Sequence, residues 1–313
     1  MVKTDVLIIG SGIAGLATAL YIRKLLPTCR IDVLSKTSLQ ENNTQYAQGG
    51  IAAVWDEKID STGSHLKDTL TAGDGLCRED IAKLVVEEGP ERVRELIEWG
   101  ARFDKKSDQA EYDLGVEGGH SHHRILHHKD VTGREIHRAL SMTIKQADNI
   151  HLHEQAFAVD IITQHHLGRN ITRMTPDIEC YGAYIVREGS PGVEKILAKR
   201  CVLATGGIGE CYKATTNPPV ATGDGIAMTY RAKGRIANME FVQFHPTSLY
   251  SPSGESPSFL ISEAVRGAGA VLVNAEGQAF MEKYHPMKDL APRDVVARAI
   301  DNEMKKMGMD HVY

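Results

Sequence analysis

The sequence lacks any pair of cysteines spaced as a metal or redox motif. Its five cysteines, an odd number among 313 residues, are scattered along the chain, which predicts reduced thiols in a cytoplasmic protein. No apolar run approaches the roughly 18 residues of a membrane-spanning helix. Excess positive charge is also missing, since the formal net charge is −5, so neither nucleic acid nor an anionic membrane is an expected partner.

The overall composition is ordinary for a globular protein, with 42% hydrophobic and 25% charged residues. A chain of 313 residues can bury a sizeable core and is long enough for about two domains. Function must therefore be inferred from local motifs, and the charge of a substrate from local residues.

The N-terminal segment has the pattern of a βαβ unit. Residues 6–9 form a short apolar run, as in a strand buried on both faces. Residues 13–26 carry apolar residues at helical spacing up to Pro27, and residues 31–34 form a second apolar run. These features predict an α/β fold with a mostly parallel, Rossmann-like sheet.

A secretory signal peptide is the alternative interpretation of the same segment. Lys3 precedes the apolar stretch, and residues 17–19 imitate a cleavage site. However, Asp5 lies where a signal peptide carries basic residues, and three glycines interrupt the run. We therefore favour the βαβ unit.

Those three glycines have the spacing of a dinucleotide-binding loop. Gly10 permits a tight turn, Gly12 lets the backbone approach a pyrophosphate, and Gly15 allows close packing of the helix against the strand. The start of the following helix offers N–H groups and the positive end of its dipole to phosphates. The motif therefore predicts nucleotide binding.

The residues after the second strand depart from a standard NAD site. An acidic residue that binds ribose hydroxyls is usual there, but Ser35 and Lys36 occupy the position. Two further glycine-rich segments, residues 202–207 and 222–225, suit a long cofactor lying across a sheet. Ordinary tight turns are the alternative for either segment.

Helices and strands are also expected further along the chain. A helix is expected over 77–105, broken near Gly89 and Pro90, and residues 163–179 are expected to be an exposed hairpin or loop. The other expected elements are strands at 151–153, 156–162, 182–187 and 198–204, and helices at 226–233 and 293–307. A change of character near Ala237 predicts two domains, 1–236 and 237–313.

Four segments together resemble the succinate dehydrogenase/fumarate reductase flavoprotein superfamily, and most closely its aspartate-oxidising members. They are residues 43–53, 117–122, 243–247 and 290–294. The resemblance covers essentially the whole chain. It implies a Rossmann-like FAD-binding domain over 1–236 and an inserted α+β capping domain over 237–313, incomplete at the C-terminus because family members are longer.

The resemblance implies that FAD is the cofactor. Membrane-bound relatives attach FAD through a histidine at the position of Asn43, and an amide cannot form that bond, so non-covalent binding is implied. Small side chains in residues 46–50 would lie beside the isoalloxazine ring, where they permit close approach. The implied FAD contacts are Gly10, Ser11, Gly12, Ile13, Ala14, Gly15, Lys36, Asn43, Thr44, Gln45, Tyr46, Ala47, Gln48, Gly49, Gly50, Val159 and Asp224.

The implied reaction is oxidation of L-aspartate to iminoaspartate, with O₂ or fumarate as electron acceptor. It would be the first step of quinolinate and NAD biosynthesis, which makes quinolinate synthase a candidate partner. The α-ammonium of aspartate needs a partner once it leaves water, and Glu117 can supply that charge. A solvated surface carboxylate is the alternative for Glu117.

Three further residues are implied to act on the substrate. His245 and Ser262 correspond to carboxylate contacts of the family, and a histidine near a carboxylate can stay protonated above its ordinary pKa. Arg293 corresponds to a proton-shuttling arginine, but its high pKa favours a substrate clamp first and a proton donor second. A structural histidine and a surface arginine are the alternatives.

Five histidines follow Glu117 closely and raise the question of a metal site. No Asp or Cys accompanies them in ligand-like spacing, and the resemblance requires no metal. We therefore expect them to form hydrogen bonds near the substrate and the flavin. They are His120, His122, His123, His127 and His128.

Two other functions stay open at this level. One is a fumarate reductase or succinate dehydrogenase flavoprotein without a membrane anchor, although Asn43 and Glu117 argue against the membrane-bound form. The other is an incomplete chain that binds FAD weakly and turns over little by itself.

Overall fold

The computed structural model describes residues 2–107 and 111–313. The chain divides into two compact units, each built from two separate segments. The first unit runs to Tyr46 and from Ile136 to Phe241, and the second comprises Ala47–Glu135 and Val242–Tyr313. These units differ from the two contiguous domains expected from the sequence, since residues 47–135 group with the C-terminal segment. The FAD-binding and capping roles given to those domains stay predictions.

The elements are as follows. The strands are β1 (Val2–Ile9), β2 (Ile31–Leu34), β3 (Ile51–Ala52), β4 (Leu114–Gly115), β5 (Ile125–Leu126), β6 (Ile150–His153), β7 (Ala156–Thr163), β8 (Cys180–Arg187) and β9 (Glu194–Leu203). The α-helices are α1 (Ile13–Leu25), α2 (Asn43–Tyr46), α3 (Thr62–Ala72), α4 (Glu79–Glu98), α5 (Thr132–Lys145), α6 (Asp224–Arg231), α7 (Glu263–Gly267) and α8 (Arg293–Met307). Short 3₁₀ turns cover Gln164–Leu167, Gly209–Cys211, Met281–Lys283 and Lys288–Leu290.

The first unit is built on a mixed sheet with the strand order β6-β2-β1-β9-β8-β7. The pairs β1–β2, β1–β9 and β2–β6 are parallel, whereas β7–β8 and β8–β9 are antiparallel. Leu7 and Ile8 in the central strand are fully buried, as a run covered on both faces requires. The predicted α/β fold with a mostly parallel sheet is confirmed.

The second unit combines helices with a small antiparallel sheet in the order β3-β5-β4. One face of α8 packs into a separate apolar cluster, in which Val296 and Ala299 meet Phe280 and Met281. The helix ends at Met307 and is capped by Gly308, whose φ of 62° is readily available to glycine. The second unit is thus of α+β type, and its identity as a capping domain stays a prediction.

Most predicted elements lie where the sequence indicated. The first two strands, their connecting helix and α8 have bounds within a few residues of those expected. The polar segment 163–179 connects the antiparallel strands β7 and β8, as the hairpin prediction requires.

The predicted break in the helix near Pro90 is wrong. Helix α4 continues through this proline, and its buried side chains Val86 and Val93 lie on either side of it. Packing of this apolar face offsets the hydrogen bond that proline cannot donate.

Among the described residues, no helix has both the length and the apolar character to cross a bilayer.

A buried carboxylate lies in the first unit, on strand β2. The side chain of Asp32 is fully buried and accepts a hydrogen bond from Arg30 Nε at 3.0 Å. His153 on the neighbouring strand β6 contacts the other carboxylate oxygen. Burial opposes ionisation of Asp32, but the hydrogen bonds from His153, Arg30 and Thr4 hold its pKa far below the usual range.

We predict that Asp32→Asn lowers the free energy of unfolding by about 2–4 kcal/mol at neutral pH. Because the folded-state pKa is depressed, this stabilisation is present above the unfolded pKa of about 4 and is lost as the pH falls below it. Urea unfolding of both proteins at several pH values measures the difference.

The matched control is Asp80→Asn, which removes an equivalent pairing with Arg78 on an exposed surface. We expect it to lower the free energy of unfolding far less than Asp32→Asn does, because solvent screens an exposed pair. Equal effects of the two substitutions, or a difference that persists unchanged under acid, would contradict the prediction.

Candidate functional site

The glycine loop between β1 and α1 belongs to the first unit. Gly10 has a φ of 118°, and a Cβ there would lie 2.1 Å from the carbonyl oxygen of Ala204. A Cβ on Gly15 would lie 2.0 Å from the carbonyl oxygen of Gly10. These two glycines are therefore required by the fold itself.

Gly12 is different from its two neighbours in the motif. Its backbone is extended, and a Cβ added there would meet only Thr44 Oγ1, at 3.3 Å. A side chain at Gly12 would thus require a small shift of one side-chain atom and none of the main chain, while the bare backbone faces a cavity. This is the surface that a pyrophosphate needs at the start of a helix.

The cavity beside the loop has a volume of about 420 Å³ and is lined by first-unit residues. The predicted FAD contacts that line it are Gly10, Ser11, Gly12, Ile13, Ala14, Lys36, Asn43, Thr44 and Asp224. Main-chain surface, hydroxyls and one lysine are the groups that hold a dinucleotide. The residues of the first unit therefore fit FAD.

An acidic residue is supplied to the end of β2 from a distant part of the chain. Lys36 Nζ donates to Asp224 Oδ2 at 2.8 Å and to Thr222 Oγ1 at 2.6 Å. Thr222 Oγ1 in turn donates to Asp224 Oδ1 at 2.8 Å. A carboxylate from the start of α6 thus pairs with the lysine that follows β2, and both residues line the cavity.

Some predicted FAD contacts lie outside this cavity lining. Gly15 packs within the loop, and Tyr46 donates its hydroxyl hydrogen bond to Glu41 at 3.0 Å. The backbone carbonyl of Val159 accepts a hydrogen bond from Arg231 at 2.7 Å. The FAD contacts assigned to Gly15, Gln45, Tyr46 and Val159 stay predictions.

Residues 47–50 belong to the second unit and serve its packing. Gln48 Nε2 donates to the carbonyl of Leu260 at 3.3 Å, and the carbonyl of Ala47 accepts from the Gly133 amide at 2.9 Å. A Cβ on Gly50 would lie 2.4 Å from the Leu126 carbonyl oxygen. Contact of these four residues with the isoalloxazine ring stays a prediction.

The predicted substrate residue Glu117 is also in the second unit, with 18% of its side chain exposed. Its Oε1 accepts the Gly50 amide at 3.2 Å, and its Oε2 lies 3.7 Å from an Arg293 nitrogen. A Cβ on Gly49 would lie 3.2 Å from Glu117 Oε1. Burial raises the pKa of Glu117, and nearby Glu263 adds to this effect. A solvated surface carboxylate does not describe this position.

Arg293 begins α8 and is held by groups from three separate segments. Its Nε donates to Glu263 Oε2 at 2.7 Å, and one terminal nitrogen donates to Gln243 Oε1 at 3.0 Å. The third nitrogen is the one nearest to Glu117. Arg293 is therefore a fixed guanidinium in an anionic setting and not a loose surface arginine.

Glu263 was not predicted as a site residue, although it follows Ser262 directly. Its side chain is only 4% exposed and lies between Arg293 and Arg266, with an Arg266 nitrogen 3.4 Å from Oε1. Its Oε1 also accepts the Gly118 amide at 3.1 Å. A Ser-Glu pair before a short helix gives no sign of these long-range contacts, so only the fold could reveal them.

His245 and Ser262 have local partners in the second unit. His245 Nδ1 lies 3.0 Å from the carbonyl oxygen of Thr247, which leaves Nε2 as the ring nitrogen not engaged by that residue. Burial and the charge of Arg293 lower the pKa of His245. Protonation of His245 beside a bound carboxylate stays a prediction. Ser262 Oγ accepts the Ala264 amide at 3.3 Å as the N-cap of α7.

The five histidines of the run separate into different surroundings. His120 and His122 lie against the buried Arg124, at 3.3 and 3.4 Å. His127 and His128 both lie near Asp104. His123 contacts the Leu114 carbonyl at 3.0 Å. Within the described part of the chain, no three His, Cys, Asp or Glu side chains are arranged as ligands of one metal ion, and hydrogen bonding of the run to substrate or flavin stays a prediction.

Comparison with known proteins adds close relatives. The chain is 47% identical to L-aspartate oxidase 2-a, chloroplastic, of Nicotiana tabacum over 98% of this chain and 47% of that protein. It is 47% identical to L-aspartate oxidase of Pseudomonas aeruginosa over 99% of this chain and 56% of that protein. The chain thus spans about half the length of the curated relatives it matches.

Solved structures give the same fold. An E. coli quinol fumarate reductase superposes with a TM-score of 0.85 at 29% identity, covering 97% of this chain and 51% of that one. Mycobacterium smegmatis Sdh1 superposes with a TM-score of 0.76 at 34% identity, covering 97% and 50%. The protein-family model described as FAD binding domain matches residues 5–313. The chain belongs to the FAD binding domain family.

Proposed function

We propose that this chain carries the FAD-binding residues and an amino-dicarboxylate site of an enzyme that oxidises L-aspartate to iminoaspartate. The observation that carries the proposal is Glu117, a mostly buried carboxylate held beside the guanidinium of Arg293. The identity to named L-aspartate oxidases along nearly the whole chain supports it.

The charges of this site complement those of aspartate. The substrate has one ammonium and two carboxylates, and each needs a partner when it leaves water. Glu117 is the anion for the ammonium, and Arg293 is the cation for a carboxylate. His245 Nδ1 would accept the Thr247 amide, at 3.2 Å, which leaves Nε2–H to donate to the second carboxylate together with Ser262.

FAD, when bound, would accept a hydride from the substrate. The protein binds the substrate and orients it. Arg293 Nε pairs with Glu263 Oε2 at 2.7 Å. Arg266 places a second positive charge behind Glu263, so Arg293 holds the substrate carboxylate while its own charge is balanced. Glu117, with a raised pKa, is suited to accept a proton from the substrate ammonium.

Several wider features of the function belong to the same proposal. The electron acceptor would be O₂ or fumarate, and the product would enter quinolinate and NAD biosynthesis, with quinolinate synthase as a candidate partner. The five cysteines are free thiols, which agrees with the expected cytoplasmic location.

A fumarate reductase or succinate dehydrogenase activity is the second candidate. The superposition on quinol fumarate reductase favours it, and the Arg293–Glu263 pair would serve a dicarboxylate without an ammonium equally well. The two functions differ in their need for Glu117. A third possibility is a chain with no turnover of its own. It is separate from the other two because it concerns whether this chain suffices for catalysis and not which substrate it binds.

We predict that Gly12→Ala weakens FAD binding by about tenfold or more. The added methyl group would occupy the surface expected to face the pyrophosphate, yet meet only Thr44 Oγ1 within the protein. The free energy of unfolding should change by less than about 1 kcal/mol. Flavin fluorescence quenching measures the affinity, and urea unfolding measures the stability.

Gly192→Ala is the matched control, because nothing lies within 4 Å of a Cβ built there and the residue is not in the cavity lining. It should leave FAD affinity unchanged. Unchanged affinity in Gly12→Ala as well would show that the pyrophosphate does not approach this loop.

We predict that Glu117→Gln weakens L-aspartate binding by about tenfold or more while succinate binding changes less than about twofold. Glutamine keeps the size and an acceptor oxygen but loses the charge that balances the ammonium. Spectral titration of the FAD-reconstituted chain with each ligand gives both constants. Parallel losses for the two ligands would assign Glu117 a structural role and favour the second candidate.

A further inference from the structure

A second charged cluster lies in the second unit, around Arg124. The side chain of Arg124 is fully buried. Its Nε and one terminal nitrogen donate to the two oxygens of Asp60 at 2.7 and 2.8 Å, and the other terminal nitrogen donates to Asp68 Oδ2 at 2.6 Å. One guanidinium thus joins two carboxylates in a fixed geometry that lysine cannot reproduce.

Asp68 connects this cluster to the loop that carries Glu117. Its Oδ2 accepts hydrogen bonds from both the backbone amide and the hydroxyl of Ser121, at 2.9 and 2.8 Å. Asp68 is itself placed on helix α3 and oriented by Arg124. The loop is therefore attached at Ser121 to a helix rather than to another loop.

The same loop has a second attachment close to Glu117. The Gly118 amide donates to Glu263 Oε1 at 3.1 Å, and the Gly119 amide donates to the Leu290 carbonyl at 3.3 Å. Gly119 has a φ of 81°, and nothing lies within 4 Å of a Cβ built there. The segment 117–121 therefore depends on anchors at both ends to keep one conformation.

The charges around Arg124 suit a permanent anchor. Burial opposes ionisation of Asp68, yet hydrogen bonds from Ser121 and Arg124 keep its pKa low. The imidazoles that face the cluster are His65, His120 and His122. Burial and the charge of Arg124 lower the pKa of His65 to about 4 and also lower that of His120. The ion pairs thus persist at neutral pH.

We propose that Arg124 and Asp68 are positioning residues that set the place of Glu117 and thereby the preference for an amino dicarboxylate over a plain one. The inference rests on the proposed function. Neither residue lies in the substrate site described above, and both act through the Ser121 anchor. Loss of the anchor would let Glu117 move away from the ammonium, while Arg293 and its partners stay in place.

The test uses Asp68→Asn in the full chain reconstituted with FAD. Asparagine keeps the volume but replaces a charged acceptor of three hydrogen bonds. We expect amide hydrogen exchange in peptides covering 117–124 to accelerate by about tenfold, with exchange in β1 and α1 unchanged. L-Aspartate affinity should fall by about tenfold and succinate affinity by less than about twofold.

Two further variants keep the inference testable if Asp68→Asn folds poorly. Ser121→Ala removes the hydroxyl bond to Asp68, together with the hydroxyl contacts to Ser64 and His122, but keeps the backbone amide bond to Asp68. It should therefore give the same pattern at about threefold. Asp80→Asn, the same substitution on an exposed pair with Arg78, should change neither exchange in 117–124 nor ligand preference.

Unchanged exchange in 117–124 in folded Asp68→Asn would overturn the inference, as would equal weakening of both ligands. The Glu117→Gln result separates this failure from failure of the proposed function. If Glu117→Gln discriminates the ligands and Asp68→Asn does not, the anchor is unnecessary. If neither discriminates, the proposed substrate is wrong.

Discussion

The buried ion pair between Glu263 and Arg293 is the interaction on which the candidate substrate site depends. A carboxylate that is only 4% exposed is stable as an anion when cations and hydrogen-bond donors surround it. Arg293, Arg266 and the Gly118 amide fill that need. The same contacts fix the start of α8, the start of α7 and the loop after Glu117. The Glu263 carboxylate therefore connects three separate segments.

This arrangement also explains the unusual state of Glu117. A second carboxylate close to Glu263 is destabilised by its neighbour as well as by burial, and its pKa is raised as a result. Arg293 already pairs at short range with Glu263, so it only partly compensates Glu117, from 3.7 Å. An incoming ammonium would complete the charge balance. A plain dicarboxylate would add negative charge and leave Glu117 uncompensated.

The first unit depends on a simpler constraint: main-chain segments approach each other closely at the glycine loop. Gly10 and Gly15 are required because side chains there would collide with carbonyl oxygens. No carbonyl oxygen lies within 4 Å of a Cβ built on Gly12, so the packing of the main chain does not explain this glycine, whereas the predicted contact with a pyrophosphate would. The ion pair of Lys36 with Asp224 then joins the end of β2 to the start of α6, at the edge of the same cavity.

Local pattern predicted much of this molecule. The strand, glycine turn and helix at the N-terminus and the helix 293–307 were accessible because their periodicity is strong and their signals lie within a few residues. The helix break predicted at Pro90 is absent because apolar packing on both sides of the proline offsets its local cost. The roles of Glu263 and Arg266 depend on contacts between residues that are far apart in the sequence, and no periodicity encodes such contacts. The same holds for Asp224, whose carboxylate lies near the end of β2. The lowered pKa of His245 likewise depends on burial and on Arg293.

The measurement that tests the central claim most directly is the visible spectrum of the purified chain, reconstituted with FAD and titrated anaerobically with L-aspartate and, separately, with succinate. The account predicts a bound-flavin band that aspartate bleaches or shifts at lower concentration than succinate does. A flavin band that responds to succinate in preference to aspartate would contradict it, as would a chain that retains no FAD at any concentration.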